Sequence, residues 1–209
     1  EKRSEIIRDF AKGLVERKKE LVQTLTLEQG KPLSFAKGEI ELAIQWCNET
    51  TKLTLNSTVV EDTPDSIVEQ SYMPLGVVAA IVPWNFPVLI TMFKLPAALL
   101  AGNTVILKPS PFTPLTALII GEVAQKYFPP GVFNVVTGDD NLGPWITEHP
   151  NIDKVSFTGS NVTGKKVMQS AASNLKRVTL ELGGNDAAIV LPDVNPKEVA
   201  RKLFWAGFL

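Results

Sequence analysis

The chain has one cysteine, Cys47, and one histidine, His149, among 209 residues. A single thiol excludes an internal disulfide framework and a cysteine-rich metal site, and a lone imidazole excludes a histidine cluster, so no metal centre is expected. No apolar run reaches the ~18 residues that a membrane span needs. The longest, Pro87 to Ala101, is interrupted by Lys94 and Pro96. Neither sign of charge is in excess: 21 Lys and Arg stand against 22 Asp and Glu, a net charge of -1. The basic residues are scattered apart from Arg17 to Lys19, which reads as a solvated helix face, so nucleic acid is not an expected partner. Internal repeats and low-complexity segments are absent. What is present, 44% hydrophobic and 21% charged residues, is the balance of a globular chain long enough to bury a proper core. The cysteine usage makes a reducing, cytoplasmic compartment the default. No secretory signal is visible, and the opening at Glu1 without a Met leaves a leader peptide open.

Helical periodicity comes first. Ile6, Ile7, Phe10, Ala11, Leu14, Val15, Leu21, Val22 and Leu25 recur at helix spacing, and Gly30-Lys31-Pro32 stops that helix. A second helix, with Ser34 able to cap it, carries Ile40, Ala43, Ile44 and Cys47 on one stripe. Cys47 therefore reads as a core thiol, with nothing nearby to lower its pKa. Residues 55–72 read as a two-stranded arm, Ser57 to Glu61 and Ser66 to Tyr72 around a Thr63-Pro64-Asp65 turn. A lone ribbon is marginal in water, so it is expected to lean on something else, another subunit being one option.

From Gly76 onward strand and helix patterns alternate. Strands are expected at Gly76 to Val82, Thr104 to Lys108, Val132 to Val136, Lys154 to Phe157 and Arg177 to Leu180. Between them lie helices near Val88 to Ala101, Pro114 to Tyr127, Leu142 to Glu148 and Val162 to Ser173, and a further β-type run spans Ala187 to Leu191. Short, almost wholly apolar strands separated by helices predict an α/β fold: a Rossmann-like parallel sheet covered on both faces. Such sheets bind ligands at the carboxyl ends of their strands, which directs attention to four segments.

Thr179-Leu180-Glu181-Leu182-Gly183-Gly184-Asn185 sets one carboxylate beside two glycines at a strand end. A Glu fixed there suits a general base aimed at something bound over the glycines. The glycines would allow close approach of a flat ring or a positive φ, and a solvated Glu in a turn is the structural alternative. Phe157-Thr158-Gly159-Ser160 runs from a strand into a helix N-terminus, where free N–H groups and the helix dipole favour a phosphate. Ser160 can cap that helix or donate to a phosphate oxygen. Gly159 to Lys166 falls short of a triphosphate-binding loop, because Lys166 stands where a hydroxyl must hold Mg²⁺, and no G-x-G-x-x-G is present. In Pro83-Trp84-Asn85-Phe86-Pro87 two prolines fix the backbone around an Asn, which can donate to a developing oxyanion or simply cap the next helix. Lys108 ends its strand and can bind ribose hydroxyls or attract phosphate.

These four motifs, Pro83 to Pro87, Lys108-Pro109-Ser110, Phe157 to Ser160 and Leu180 to Asn185, occur here in the order and spacing of the NAD(P)-dependent aldehyde dehydrogenase superfamily. The resemblance covers essentially the whole chain. It implies Glu181 as the general base and Asn85 as the side-chain donor of an oxyanion hole. It further implies a cofactor cleft for NAD or NADP made by Ile81, Val82, Pro83, Trp84, Lys108, Ser110, Gly138, Gly143, Phe157, Thr158, Gly159, Ser160, Leu182 and Gly183. Within that cleft Lys108 would hold the adenosine ribose and Gly159 and Ser160 the pyrophosphate. An aldehyde is the implied substrate, and a homo-oligomer, dimer or tetramer, the implied assembly.

There are two departures. Many NAD-preferring relatives carry a Glu three residues after the ribose lysine; this chain has Pro111, so NAD versus NADP stays open. The family's nucleophilic cysteine follows the general base by some thirty to forty residues, and no cysteine follows Glu181 here. The resemblance therefore implies the N-terminal, cofactor-binding portion of such an enzyme, inactive alone. Its expected parts are residues 1–54 (helical), 55–72 (arm), 73–186 (cofactor-binding) and 187–209 (the start of a catalytic domain whose Phe204 and Trp205 lack a partner). A nucleotide-binding or interaction protein without catalysis is the alternative.

Overall fold

The computed structural model of the chain describes residues 1–208; Leu209, the end of the expected last part, lies outside the described residues. Three helices open it, α1 (Lys2–Glu16), α2 (Lys18–Gln29) and α3 (Leu33–Thr50). A hairpin of β1 (Thr58–Asp62) and β2 (Ile67–Gln70) follows. Then come β3 (Val77–Ile81), α4 (Pro87–Leu100), β4 (Thr104–Lys108), α5 (Leu115–Ala124), β5 (Phe133–Val135), α6 (Leu142–Glu148), β6 (Lys154–Gly159), α7 (Asn161–Ala172), β7 (Arg177–Leu182) and α8 (Pro196–Gly207). Strands β3 to β7 form one parallel sheet in the order β5-β4-β3-β6-β7. The chain winds outward from β3 through β4 to β5, then crosses back to β6 and β7. The strand order reverses between β3 and β6, and a crevice opens at the carboxyl ends of those two strands.

Register assigns the faces. Val78 and Ala80 share a face with Val105 and Leu107, and this face packs against α1 to α5 through Phe10, Leu14, Leu25, Ile40, Met92 and Ile120, all at most 2% exposed. Ala79, Ile81, Val155 and Phe157 point to the opposite face, under α6 and α7, with Ile146 and Val167. Burying each large apolar side chain contributes roughly 1.5–3 kcal/mol. This two-sided burial is why the strands carry so few polar residues.

Four local expectations need correction. The first expected helix is two: at Arg17 the backbone takes φ -94, ψ 7, and the guanidinium bridges Glu20 and Glu122 of α5. The chain bends there, and α2 packs against α3 and α5. Ser34 does not cap α3; the cap residue is Pro32, and Ser34 lies within the first turn. Residues 187–191 form no strand, since a strand needs a hydrogen-bonding neighbour and these exposed residues have none among the described ones. Gly183 and Gly184 do not use a positive φ, which occurs instead at Gly30, Gly76, Gly102 and Gly131. Phe204 and Trp205 on α8 are exposed, at 54% and 44%; Phe204 meets Trp205 edge-to-face and stacks on Phe208, outside the core. No helix among the described residues is long and apolar enough to cross a membrane.

Candidate active site

The carboxyl ends of β4, β3, β6 and β7 align. Ile81 pairs with Lys108 on one side and with Phe157 on the other, Thr158 pairs with Glu181, and Gly159 with Leu182. The motifs, scattered over a hundred residues of sequence, thus meet along one sheet edge at the switch in strand order. The faces divide them. Ile81, Lys108, Phe157, Gly159 and Leu182 point toward the α6/α7 side, whereas Thr158 and Glu181 point toward the α4 side.

On the α7 side, Ser160 caps the helix: its hydroxyl accepts from Thr163 N–H at 3.2 Å and donates to Thr163 Oγ1 at 3.0 Å. The cap orients the first turn of α7 and leaves the N–H groups of Asn161 and Val162 free of helix partners at the sheet edge. Gly159 lacks a Cβ for a reason within the protein. A Cβ there would lie 2.6 Å from the tip of the Phe157 ring. A Cβ at Gly164, one turn into α7, would meet Leu182 at 2.5 Å, so this glycine sets how closely the helix approaches the end of β7. Lys108 and Ser110 are buried at the end of β4. Burial pulls the Lys108 ammonium below the usual lysine range, and Asp140 and Asp139 partly counter this. Its Nζ donates to the Pro109 carbonyl at 3.3 Å. Gly138 lies against Leu142, and Gly143 in α6 faces open space.

On the α4 side an open groove of about 720 Å³ contains Glu181, Thr179, Thr158 and Ser156 on the sheet and Ile90, Phe93 and Lys94 on α4, with the ring of Trp46 of α3 tilted against that of Phe93 at 4.6 Å. Glu181 is exposed to this groove. Lys94 is half-buried and donates to Ser156 Oγ at 2.9 Å. Burial pushes its pKa down to about 8; the Glu181 charge works against that shift and Lys154 with it. Lys108, Gly138, Gly143, Gly159 and Ser160 do not line this groove.

The turn between β3 and α4 spans the two sides. Val82 and Pro87 are buried, while Trp84 is 54% exposed and Asn85 is also exposed. Asn85 is not a helix cap: the cap residue of α4 is Phe86, and it makes no side-chain cap bond. Glu39 caps α4 from a distance. It is 3% exposed, and its Oε1 accepts from the N–H groups of Val88 and Leu89 at 2.9 and 3.2 Å. Glu28 does the same for α5, accepting from Leu115 and Thr116 N–H at 2.7 and 3.1 Å.

Cys47 is fully buried on α3, its Sγ donating to the Ile7 carbonyl at 3.9 Å, and burial pushes the thiol up to about 12. It is no nucleophile. Among the described residues no group of three or more metal-ligating side chains assembles.

Sequence reasoning missed Lys94 and Glu39. Lys94 is the one charge in an apolar helix, Pro87 to Leu100, a signal read only as an interruption. Glu39 on α3 gave no signal, because its helix partners lie about fifty residues away.

Comparison with known proteins adds to this geometry. The model of the aldehyde dehydrogenase family matches residues 1–209. The chain is 46% identical over 202 residues to the putative aldehyde dehydrogenase FUS7 of Gibberella moniliformis, covering 96% of this chain and 43% of that protein. It is 42% identical over 198 residues to the NADP⁺ succinate-semialdehyde dehydrogenase GabD of Escherichia coli, covering 92% and 41%. Among solved structures, PnpE in complex with nicotinamide adenine dinucleotide superposes with a TM-score of 0.94 at 36% identity, covering 99% of this chain and 43% of that one. The chain thus spans about two fifths of the length of the relatives it matches.

Proposed function

Because the chain belongs to the aldehyde dehydrogenase family, we propose that it forms the cofactor-binding part and supplies the general base of an enzyme that oxidises an aldehyde to a carboxylic acid with NAD or NADP. The carrying observation is the alignment of Ile81, Lys108, Phe157 and Glu181 on one sheet edge across the switch in strand order. The α7 side fits a dinucleotide: the first turn of α7 offers free N–H donors to a diphosphate, and among the described residues Lys108 has no carboxylate hydrogen-bonded to it. When bound, the cofactor supplies the two-electron acceptor. Lys108 holds ribose hydroxyls, Ser160 and Gly159 shape the diphosphate turn, and Leu182 and Gly183 border the reactive ring.

Glu181 acts on the other face as general base, taking a proton from a thiol or from the water that releases the acid. Asn85 donates its amide N–H to the oxyanion that forms when the aldehyde carbonyl is attacked. Lys94, whose pKa burial lowers to about 8, lines the same groove as Glu181 and keeps a cation near it below that pH. The attacking thiol is not among these residues, because Cys47 is buried and no other cysteine is present. The 209-residue chain alone is therefore proposed to bind cofactor without turnover. The β1–β2 hairpin, exposed along its length, serves as an oligomerisation arm for dimers or tetramers.

Fluorescence titration of the 209-residue chain with NAD⁺ and NADP⁺ side by side tests this reading. Saturable binding, weakened by Lys108→Met, is the expected result. Absence of binding by both nucleotides at millimolar concentration would overturn it. With Pro111 in place of a carboxylate after the ribose lysine, NADP⁺ is expected to bind within about tenfold of NAD⁺, because no like charge repels its 2′-phosphate.

A further inference from the structure

We infer that Gln29, Lys31 and Glu39 form a clamp that positions Asn85 for its role at the oxyanion, an inference that rests on the oxyanion reading above. The clamp grips the segment at consecutive points. The Asn85 carbonyl accepts from Gln29 Nε2 at 2.9 Å and from Lys31 Nζ at 2.7 Å. The same ammonium stands 3.8 Å from the centre of the Phe86 ring and 2.5 Å from Glu39 Oε2. The other oxygen of Glu39 holds the N–H groups of Val88 and Leu89. One carboxylate and one ammonium, the former fully buried and the latter nearly so, thus tie residues 85, 86, 88 and 89 to α3 and to the turn that precedes it.

The arrangement exceeds what capping a helix needs. Glu28 caps α5 with a carboxylate alone, and among the described residues no ammonium joins it. At α4 the added cation and the Gln29 amide both converge on one carbonyl, that of the residue whose side chain is to donate. Among the described residues the Asn85 amide itself makes no hydrogen bond. The direction in which its side chain leaves the chain is therefore set by its backbone, between Pro83 and Pro87, and the backbone is held by the clamp. A donor aimed at an oxyanion works only if it is fixed before the charge develops. Gln29, Lys31 and Glu39 are positioning residues; they do not touch the reacting atoms.

Two variants separate this role from stability. Gln29→Leu removes one neutral bond. Lys31→Met/Glu39→Gln removes the cation while an amide oxygen remains for Val88 and Leu89. In the ¹⁵N-labelled 209-residue chain, the Asn85 side-chain amide, identified by its loss in Asn85→Asp, should be ordered in the parent and mobile in both variants. In the protein at its full encoded length, kcat should fall by ~10-fold or more, since a misplacement of about 1 Å costs on the order of 10²-fold, while cofactor KM stays within about twofold. In an Asn85→Ala background the same variants should change kcat by less than about twofold, because coupled residues are not additive. Glu28→Ala, which loosens α5 only, should leave kcat unchanged. Full activity in the clamp variants, or an undiminished loss in the Asn85→Ala background, overturns the inference. If the variants loosen the Asn85 amide but Asn85→Ala leaves kcat intact, the oxyanion reading falls and the catalytic role of the clamp falls with it. An amide that stays ordered in the variants removes the clamp itself.

Discussion

Glu39→Ala should destabilise the chain by about three times as much as Glu28→Ala, although both substitutions delete a carboxylate that caps a helix. Glu28 serves Leu115, whose exposed position lets its N–H turn to water, and the N–H and hydroxyl of the buried Thr116, the hydroxyl being free to turn to another acceptor. Its loss is an ordinary cap deletion, about 1–2 kcal/mol. Glu39 is different. Its side chain is fully buried and faces an ammonium that is itself 9% exposed. Alanine there orphans the N–H groups of Val88 and Leu89, which lie in the core at 3% and 8% exposure, and strands the charge of Lys31. Breaking one side of a buried ion pair costs about 3–5 kcal/mol, and the lost cap is partly included because the terms share one group. A loss of about 4 kcal/mol is about a quarter or more of the roughly 5–15 kcal/mol that holds a domain folded. Urea unfolding followed by far-ultraviolet circular dichroism reads both values from the midpoint at constant slope. Lys31→Met/Glu39→Gln, which leaves no unpaired charge, should cost only about 1–2 kcal/mol. A Glu39→Ala loss no larger than that of Glu28→Ala would refute the reasoning, since the buried cation would then be indifferent to its partner.

Three further outcomes follow from the geometry. Lys94 should titrate near pH 8 by NMR of the ¹³C-methylated amine, and Glu181→Gln should move its pKa lower still, because the Glu181 charge opposes the shift; an upward movement contradicts that coupling. As the folded pKa lies below the usual 10.5, the unfolded chain binds more protons between these values, so this group makes stability rise with pH from about 8. Cys47 should resist a thiol reagent until the chain unfolds. Its raised pKa contributes stability that is present below pH 9 and is lost as pH climbs toward 12, and Cys47→Ala should flatten that decline. Gly159→Ala should weaken nucleotide binding by about tenfold or more, because the new methyl displaces the Phe157 ring at the mouth of the crevice; unaltered binding would show that the ring yields freely.

The local sequence carried much of this. Short apolar strands, most of them bounded by Gly, Pro or Asn, announced the parallel sheet, and β4 and α6 appear with the bounds their patterns predict. Where the pattern needed a distant partner it misled. Residues 187–191 are apolar enough for a strand but have no neighbour to pair with among the described residues, and the guanidinium at the Arg17 bend meets Glu122, over a hundred residues away. Ser160 resolved as a helix cap because its neighbour Thr163 is three residues on, a contact that spacing alone can suggest.

The amino-acid sequence by itself determined the class of fold, the inert character of Cys47 and the short motifs at the strand ends, because each depends on periodicity or on residues within a few positions of one another. Only the tertiary structure decided that Glu181 faces a different side of the sheet from Lys108, that Lys94 lies in the same groove as Glu181, and that Glu39 rather than Asn85 caps α4. Those outcomes turn on strand register and on charges brought together from remote parts of the chain, where burial in a medium less polarisable than water makes each partner matter.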